Sequence, residues 1–203
     1  MIGGVSSESA TPASPPAREE PRVPPEVLRL ARQRVLAGER LEVGTLAAEL
    51  GVNRVTLYRW VGSRERLLVE VLWSMAEEAL DGLWSSVPPT ADRAVAVVVG
   101  FIECVLANPG MQHLLAADPE LVMRLLTHRA AGFQPRLLAA IEDLLREESA
   151  AGRLDVPLDT HELAYVVVRV IESYTYLEML LGEQPEAHRA EAALHLLLDR
   201  RPR

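Results

Sequence analysis

Apolar residues recur every three or four positions along most of the chain after residue 24, which is the spacing of one face of an α-helix. The first of these faces begins at Pro25 and ends before Gly38, and its apolar members are Val27, Leu28, Ala31, Val35 and Leu36. No segment shows the sustained alternation of apolar and polar residues that a half-buried strand requires. The pattern therefore predicts an all-α fold.

Glycines, prolines and capping residues divide this pattern into ten predicted helices. Asn53, Ser63 and Thr90 precede three of them and are good N-caps. Asp159 with Glu162 resembles a capping box. The predicted helices cover approximately residues 25–37, 43–50, 54–60, 63–84, 91–107, 111–116, 119–131, 134–151, 161–181 and 187–199.

The same pattern predicts three regions. Residues 1–24 are rich in proline, glycine, serine and alanine, so we expect a disordered N-terminal arm. Contact of Arg18 or Arg22 with a DNA minor groove is a less favoured alternative for this arm. Residues 25–67 would form a small three-helix domain, and residues 68–203 a larger helical domain.

The net charge of −8 argues at first against a nucleic-acid partner, but the charge is unevenly distributed. Residues 18–66 contain ten arginines and seven acidic residues, whereas residues 67–203 contain eleven arginines and twenty-one acidic residues. A basic N-terminal third on an acidic body fits local contact with phosphates. Cys104 is the only cysteine, and no apolar run is long enough for a signal or membrane-spanning segment, so we expect a cytoplasmic protein.

The two short helices 43–50 and 54–60 form a candidate helix-turn-helix. Gly51 permits the tight turn between them, and the small Ala47 lets them cross closely; their shared core would be Leu46, Val52 and Leu57. The second helix then presents side chains suited to base edges and phosphates in a major groove, namely Arg54, Val55, Thr56, Tyr58 and Arg59. The alternative is a helical hairpin with a purely structural role.

One family resemblance favours the DNA-binding interpretation. The residues that carry it are Leu46-Ala47, Gly51-Val52, Thr56-Leu57-Tyr58, Gly62-Ser63-Arg64-Glu65 and Leu67-Leu68. With these residues, region 25–73 resembles the DNA-binding region of the tetracycline-repressor (TetR) family. Trp60-Val61 departs from the family's usual His-Phe, Arg64 replaces the usual lysine, and Glu42 stands where serine or threonine often caps the second helix.

The resemblance implies which residues contact phosphates and which approach bases. Asn53, Tyr58, Trp60 and Arg64 would hold phosphates. The residues that would approach bases are Arg54, Val55, Thr56 and Arg59. Of the phosphate contacts, Trp60 is the least secure because it departs from the family pattern.

For the body, the resemblance implies a small-molecule pocket and a homodimer through the last two helices. The candidate ligand-binding residues are Trp73, Phe101, Glu103, Met111, Met123, Phe133, Tyr165, Arg169 and Tyr174, with Tyr176 as a further aromatic. Glu103 and Arg169 lie in apolar helices, so we expect at least one of them to line the pocket. The leucines expected at the dimer bundle are Leu194, Leu196, Leu197 and Leu198.

We expect no cofactor and no metal. His188, Glu191 and His195 share a helical face, but a polar outer face explains them better than a metal site, which would need another ligand. The expected function is a transcriptional repressor that binds a palindromic operator as a dimer and is released by a small, largely apolar effector. The alternatives are an activator, a DNA-binding adapter without an effector, and an enzyme, the last disfavoured because no nucleophile–base pair is visible.

Overall fold

A computed structural model describes residues 23–176 and 186–198 of the chain. The helices in these residues are α1 (Pro25–Leu36), α2 (Val43–Glu49), α3 (Arg54–Val61), α4 (Arg64–Ser86), α5 (Arg93–Ala107), α6 (Pro109–Ala117), α7 (Pro119–Thr127), α8 (Phe133–Ala150), α9 (Thr160–Thr175) and α10 (Ala187–Leu198). A 3₁₀ turn (Arg129–Ala131) precedes α8, and the described part of the chain contains no strand. The predicted all-α fold is confirmed.

Several predicted helix boundaries differ from the structure by two residues or more. Helix α5 begins at Arg93 rather than residue 91, and Asp92 rather than the predicted Thr90 occupies its N-cap position. The predicted helix 119–131 stops at Thr127, because His128 is extended and Gly132 adopts a left-handed conformation with a φ of 93°. Helix α6 begins at Pro109 rather than residue 111, because the Asn108 side chain accepts a hydrogen bond from the Met111 N–H and caps it. The predicted arm 1–24, except its last two residues, and the predicted helix end 177–181 lie outside the described residues.

The caps predicted around α3 and α4 are present. The Asn53 Oδ1 accepts from the Val55 N–H at 2.8 Å, and the Ser63 Oγ accepts from the Arg66 N–H at 3.0 Å. Glu42 makes no such bond at the start of α2, as expected for a weak capping residue. These local bonds fix where the N-terminal helices begin.

Helices α1–α3 form an N-terminal head, and α5 is the central helix of the body. Helix α5 packs against α4, α9 and α10, which explains why Ala94–Ile102 carries no charge. Its fully buried side chains include Val97, Val98 and Ile102. The long helix α4 contacts both the head and the body and so joins the two.

Helix α6 meets the head at unusually close range. A methyl group added at Gly110 would lie 2.7 Å from the Val35 carbonyl oxygen and 3.1 Å from the Leu36 Cα. One turn later the His113 ring packs against Gly38, where an added Cβ would lie 2.8 Å from the ring. The C-terminal end of α1 and the loop after it therefore rest directly on α6.

A buried ion cluster joins the C-terminal end of α4 to α5 and α8. Glu148 is 1% exposed and accepts two 2.7 Å hydrogen bonds from Arg153. The Arg93 guanidinium lies 3.5 Å from Glu148 and stacks 3.6 Å from the Trp84 ring centroid, while also donating to the Trp84 carbonyl at 2.5 Å. We call Trp84, Arg93, Glu148 and Arg153 the Arg93 cluster.

No single helix in the described residues is long and apolar enough to cross a membrane. The pair α5 and α6 reaches the required length and hydropathy together, but its two helices are bent by 61° at the break.

Candidate DNA-binding surface and ligand cavity

Helices α2 and α3 are held together as a helix-turn-helix by a small buried core. Leu46, Ala47 and Leu57 are each at most 3% exposed, and Val52 is half-buried beside them. Gly51 makes the turn with a φ of 63°. This packing leaves the opposite side of α3 to solvent.

The outward face of α3 combines apolar, aromatic and cationic groups. Val55 is 76% exposed and Tyr58 38% exposed, and Arg54 and Arg59 are also exposed. The Arg54 guanidinium lies 5.6 Å from the centroid of the Tyr58 ring, which orients both side chains on the same face. Asn53 is exposed at the start of this face, and Thr56 is half-buried. The structure thus brings six of the eight predicted DNA contacts to one end and one side of α3.

Arg64 and Trp60 are placed differently. The Arg64 Nε donates to the Leu41 carbonyl at 2.8 Å, and its side chain is half-buried in a cleft that His113 and Asp118 also line. Trp60 is half-buried and packs against the core of the head. DNA contact by these two side chains stays a prediction that this arrangement does not favour.

An apolar cavity of about 80 Å³ lies in the body between α4, α5, α6, α8 and α9. Most of its wall consists of aliphatic and aromatic side chains. Of the nine predicted ligand-binding residues, three line the cavity, namely Phe101, Met111 and Phe133. Tyr176, the additional aromatic, also lines it, and burial raises the pKa of this phenol, so that it is neutral throughout the physiological range.

The other six predicted ligand residues do not line this cavity in the described part of the chain. Trp73 packs behind its wall, with its ring centroid 6.0 Å from that of Phe133 in an edge-to-face arrangement. Arg169 pairs with Glu172 at 2.7 Å. Glu103 and Tyr165 are exposed, and Met123 and Tyr174 are half-buried elsewhere. Ligand contact by these six stays a prediction, and neither Glu103 nor Arg169 supplies a charge to the cavity wall.

Two polar side chains of the cavity wall were not foreseen from the sequence. The Asn108 Oδ1 accepts from the Met111 N–H at 3.0 Å, and its Nδ2 faces the Met75 sulfur at 3.9 Å. The Thr175 hydroxyl donates to the Ile171 carbonyl at 2.8 Å. Asn108 was recognisable as part of an Asn-Pro-Gly turn, but only the tertiary structure shows that the junction of α5 and α6 lies beside Met75 of α4, so that the amide faces the cavity.

Ion pairs connect the start of α4 to α7 and α8 on the far side of the cavity wall. Arg136 makes a bidentate pair with Glu70, at 2.7 and 2.9 Å, and Arg124 lies 2.9 Å from Glu65. The Arg136 guanidinium also lies 6.0 Å from the Trp73 ring centroid. The beginning of α4, which directly follows α3, is therefore anchored to the helices that enclose the cavity.

The histidines of α10 each lie near a glutamate. His195 lies 3.9 Å from Glu191, and His188 lies 3.4 Å from Glu186. No group of three potential metal ligands occurs in the described residues.

Comparison with known proteins identifies the family. The family model described as "Tetracyclin repressor-like, C-terminal domain" matches residues 90–199, which is more than half of the chain. The chain belongs to the TetR family. TetR-family regulators bind DNA and small-molecule effectors and function as dimers. No curated protein matches this TetR-family chain significantly by sequence.

Three solved structures share the fold of this chain. The transcriptional repressor QsdR from R. erythropolis is 26% identical, and the superposition has a TM-score of 0.77 and covers 87% of this chain and 95% of QsdR. FadR from Bacillus subtilis, solved with stearoyl-CoA, is 14% identical with a TM-score of 0.57, covering 86% of this chain and 97% of FadR. The multidrug binding protein EbrR, solved with imidazole, is 17% identical with a TM-score of 0.56, covering 87% of this chain and 89% of EbrR.

Proposed function

We propose that this TetR-family protein is a transcriptional repressor that binds a palindromic operator as a homodimer and is released by a small, largely apolar effector. The observation that supports the proposal is the joint presence of an exposed α3 face and an apolar cavity connected by one helix, α4. QsdR, the similar structure with the highest identity among those described above, is a repressor.

In this proposal α3 enters the major groove. Its N-terminal residues would approach base edges, as in other helix-turn-helix proteins. Val55 offers a methyl surface to thymine, and Arg54 and Arg59 offer donors to guanine or phosphate. Asn53 and Tyr58 would hydrogen-bond phosphates and fix the register of the helix on the duplex.

The dimer would form through the outer faces of α9 and α10. Leu196 is 79% exposed and Tyr165 46% exposed, with partly exposed Val166 and Leu197 on the same two helices. Of the leucines expected at the interface, Leu194 and Leu198 pack inside the chain and are at most 4% exposed. The surface of α9 and α10 that would be available to a partner subunit therefore includes fewer of the predicted leucines than the sequence pattern indicated.

The effector would bind in the apolar cavity. A ligand that fits one arrangement of α4 and α6 better than another would shift the population of head positions. The two heads of the dimer would then no longer match successive major grooves, which lie about 34–36 Å apart. FadR with stearoyl-CoA and EbrR with imidazole support small-molecule binding in this fold.

The first test is a mobility-shift titration on DNA that flanks the gene, with increasing salt. Wild type should form a specific complex that weakens with salt. Tyr58→Ala should lower the affinity at least about tenfold through lost phosphate contact and packing. Arg59→Ala should weaken binding, whereas the control Arg129→Ala, at an exposed arginine of the body, should not. Equal affinity for all four proteins would refute DNA binding through α3.

A DNA-binding adapter without an effector is the second candidate, and the small size of the cavity favours it. The two candidates share the mobility-shift result. They differ in whether any small molecule that enters the cavity lowers operator affinity, which a release assay on the same complex measures.

A further inference from the structure

We propose that Asn108 is the polar anchor of the effector, and that the effector is an uncharged molecule with a small apolar body and one hydrogen-bond acceptor, such as a carbonyl oxygen. The inference rests on the proposed function, because it takes the apolar cavity as the effector site. It specifies which atom of the protein holds the ligand and which ligand chemistry that atom selects.

The orientation of the Asn108 amide is fixed by its role in α6. Its Oδ1 caps the helix by accepting from the Met111 N–H at 3.0 Å. Reversing the amide would place a donor against that N–H and lose the cap. The Nδ2 is therefore held on the opposite side, where its partner is the Met75 sulfur at 3.9 Å.

A thioether is a weak acceptor, so the Met75 sulfur satisfies the Asn108 Nδ2 poorly. Asn108 and Met75 both line the cavity, and Asn108 is half-buried. A ligand oxygen near Met75 would supply a much better acceptor for this N–H. Flexible methionine can move aside to admit it.

The remaining wall excludes a charged ligand. No charged side chain lines this cavity in the part of the chain that the structure describes. The Thr175 hydroxyl already donates to the Ile171 carbonyl, and the buried Tyr176 phenol is neutral. An ammonium or carboxylate would lose its hydration there without gaining a counter-ion.

The cavity also limits the size of the ligand. A cavity of about 80 Å³ favours compact probe molecules. 2-Hexanone and 2-methyl-1-hexene each have seven non-hydrogen atoms and differ only in the exchange of a carbonyl oxygen for a methylene group. This pair isolates the contribution of the acceptor.

Binding would be followed by NMR of the protein labelled at its methionine methyl groups, since Met75 and Met111 both line the cavity. Met75→Leu would assign the Met75 signal. The ketone loses hydrogen bonds to water on binding and the alkene does not, so the informative quantity is the change of the ketone-to-alkene affinity ratio from wild type to a variant. Hexanoate should bind more weakly than the ketone.

Asn108→Asp is the decisive variant, because aspartate keeps the capping oxygen of α6 but has no amide donor. The ketone-to-alkene affinity ratio should fall about tenfold below that of wild type, the effect of one lost hydrogen bond. Thr175→Val is the matched control, because it removes a cavity hydroxyl that is already engaged, and it should leave the ratio at its wild-type value. Circular dichroism of each variant would establish that α6 and the fold are intact.

The outcomes separate this inference from the proposed function. An unchanged ratio in Asn108→Asp would overturn the role of Asn108 without contradicting the cavity as the effector site. If neither probe shifted a methionine signal, both the anchor and the cavity as an effector site would be overturned, while operator binding through α3 would be unaffected.

Discussion

Gly110→Ala tests the close contact between the body and the head. The new methyl group would lie 2.7 Å from the Val35 carbonyl oxygen, whereas ordinary contact begins at about 3.4 Å. The neighbours are backbone atoms that cannot rotate away, so α6 and α1 must separate by about 0.7 Å. Forcing such an overpacked contact typically costs about 1–3 kcal/mol.

Gly82→Ala provides the matched control. Gly82 lies within α4, and nothing lies within 4 Å of a Cβ added there. Replacing a helical glycine with alanine in open space stabilises a protein by about 0.5–1 kcal/mol. Since both substitutions add the same group to a helix, the difference between the two variants isolates the steric cost at Gly110.

The assay is urea unfolding, with ΔG obtained by linear extrapolation. Far-UV circular dichroism and tryptophan fluorescence should give coincident transitions, because the extrapolation requires two-state behaviour. Gly82→Ala should be more stable than Gly110→Ala by about 1–3 kcal/mol. Equal stability of the two variants would refute the direct contact of the Gly110 backbone with the end of α1.

Two further substitutions test buried charges. Glu148→Ala should lower the free energy of unfolding by about 3–5 kcal/mol, because it removes the buried carboxylate that Arg93 and Arg153 share. Asp143→Ala, at an exposed pair, should cost less than about 1 kcal/mol in the same denaturation assay, and equal losses would contradict the cluster. Glu172→Gln should stabilise the protein more at pH 7 than at pH 4. Burial raises the pKa of Glu172 in the folded state, so the wild-type protein loses stability as the pH rises and this carboxyl ionises. A gain in thermal stability that does not depend on pH would contradict this prediction.

The head could be anticipated from the sequence because its determinants are local. Asn53 and Ser63 each cap a helix that begins one residue later, and Gly51 marks the turn between α2 and α3. Leu57 and Val55 lie two residues apart in α3, and helical spacing alone places the first inside and the second outside.

The cavity could not be anticipated in the same way, because its members are chosen by tertiary packing. Tyr165 and Ile171 both lie in the apolar helix α9, but α9 turns only the latter toward the cavity. An all-round apolar helix gives no periodic signal that distinguishes these faces. Asn108 is a residue typical of a turn, but it faces the cavity because the junction of α5 and α6 lies beside Met75 of α4.

The Arg93 cluster holds the C-terminal end of α4 in place, so that this end would be the pivot of any tilt of the helix. Trp84 is clamped near one end of the helix, Ala76 touches the cavity about 12 Å away, and Arg64 begins the helix about 30 Å away, at 1.5 Å per residue. If α4 tilts as a rigid rod, a displacement of about 1 Å at Ala76 becomes about 2.5 Å at Arg64. The position of the buried charges at one end of α4 thus determines how far a small ligand at Ala76 would move the head.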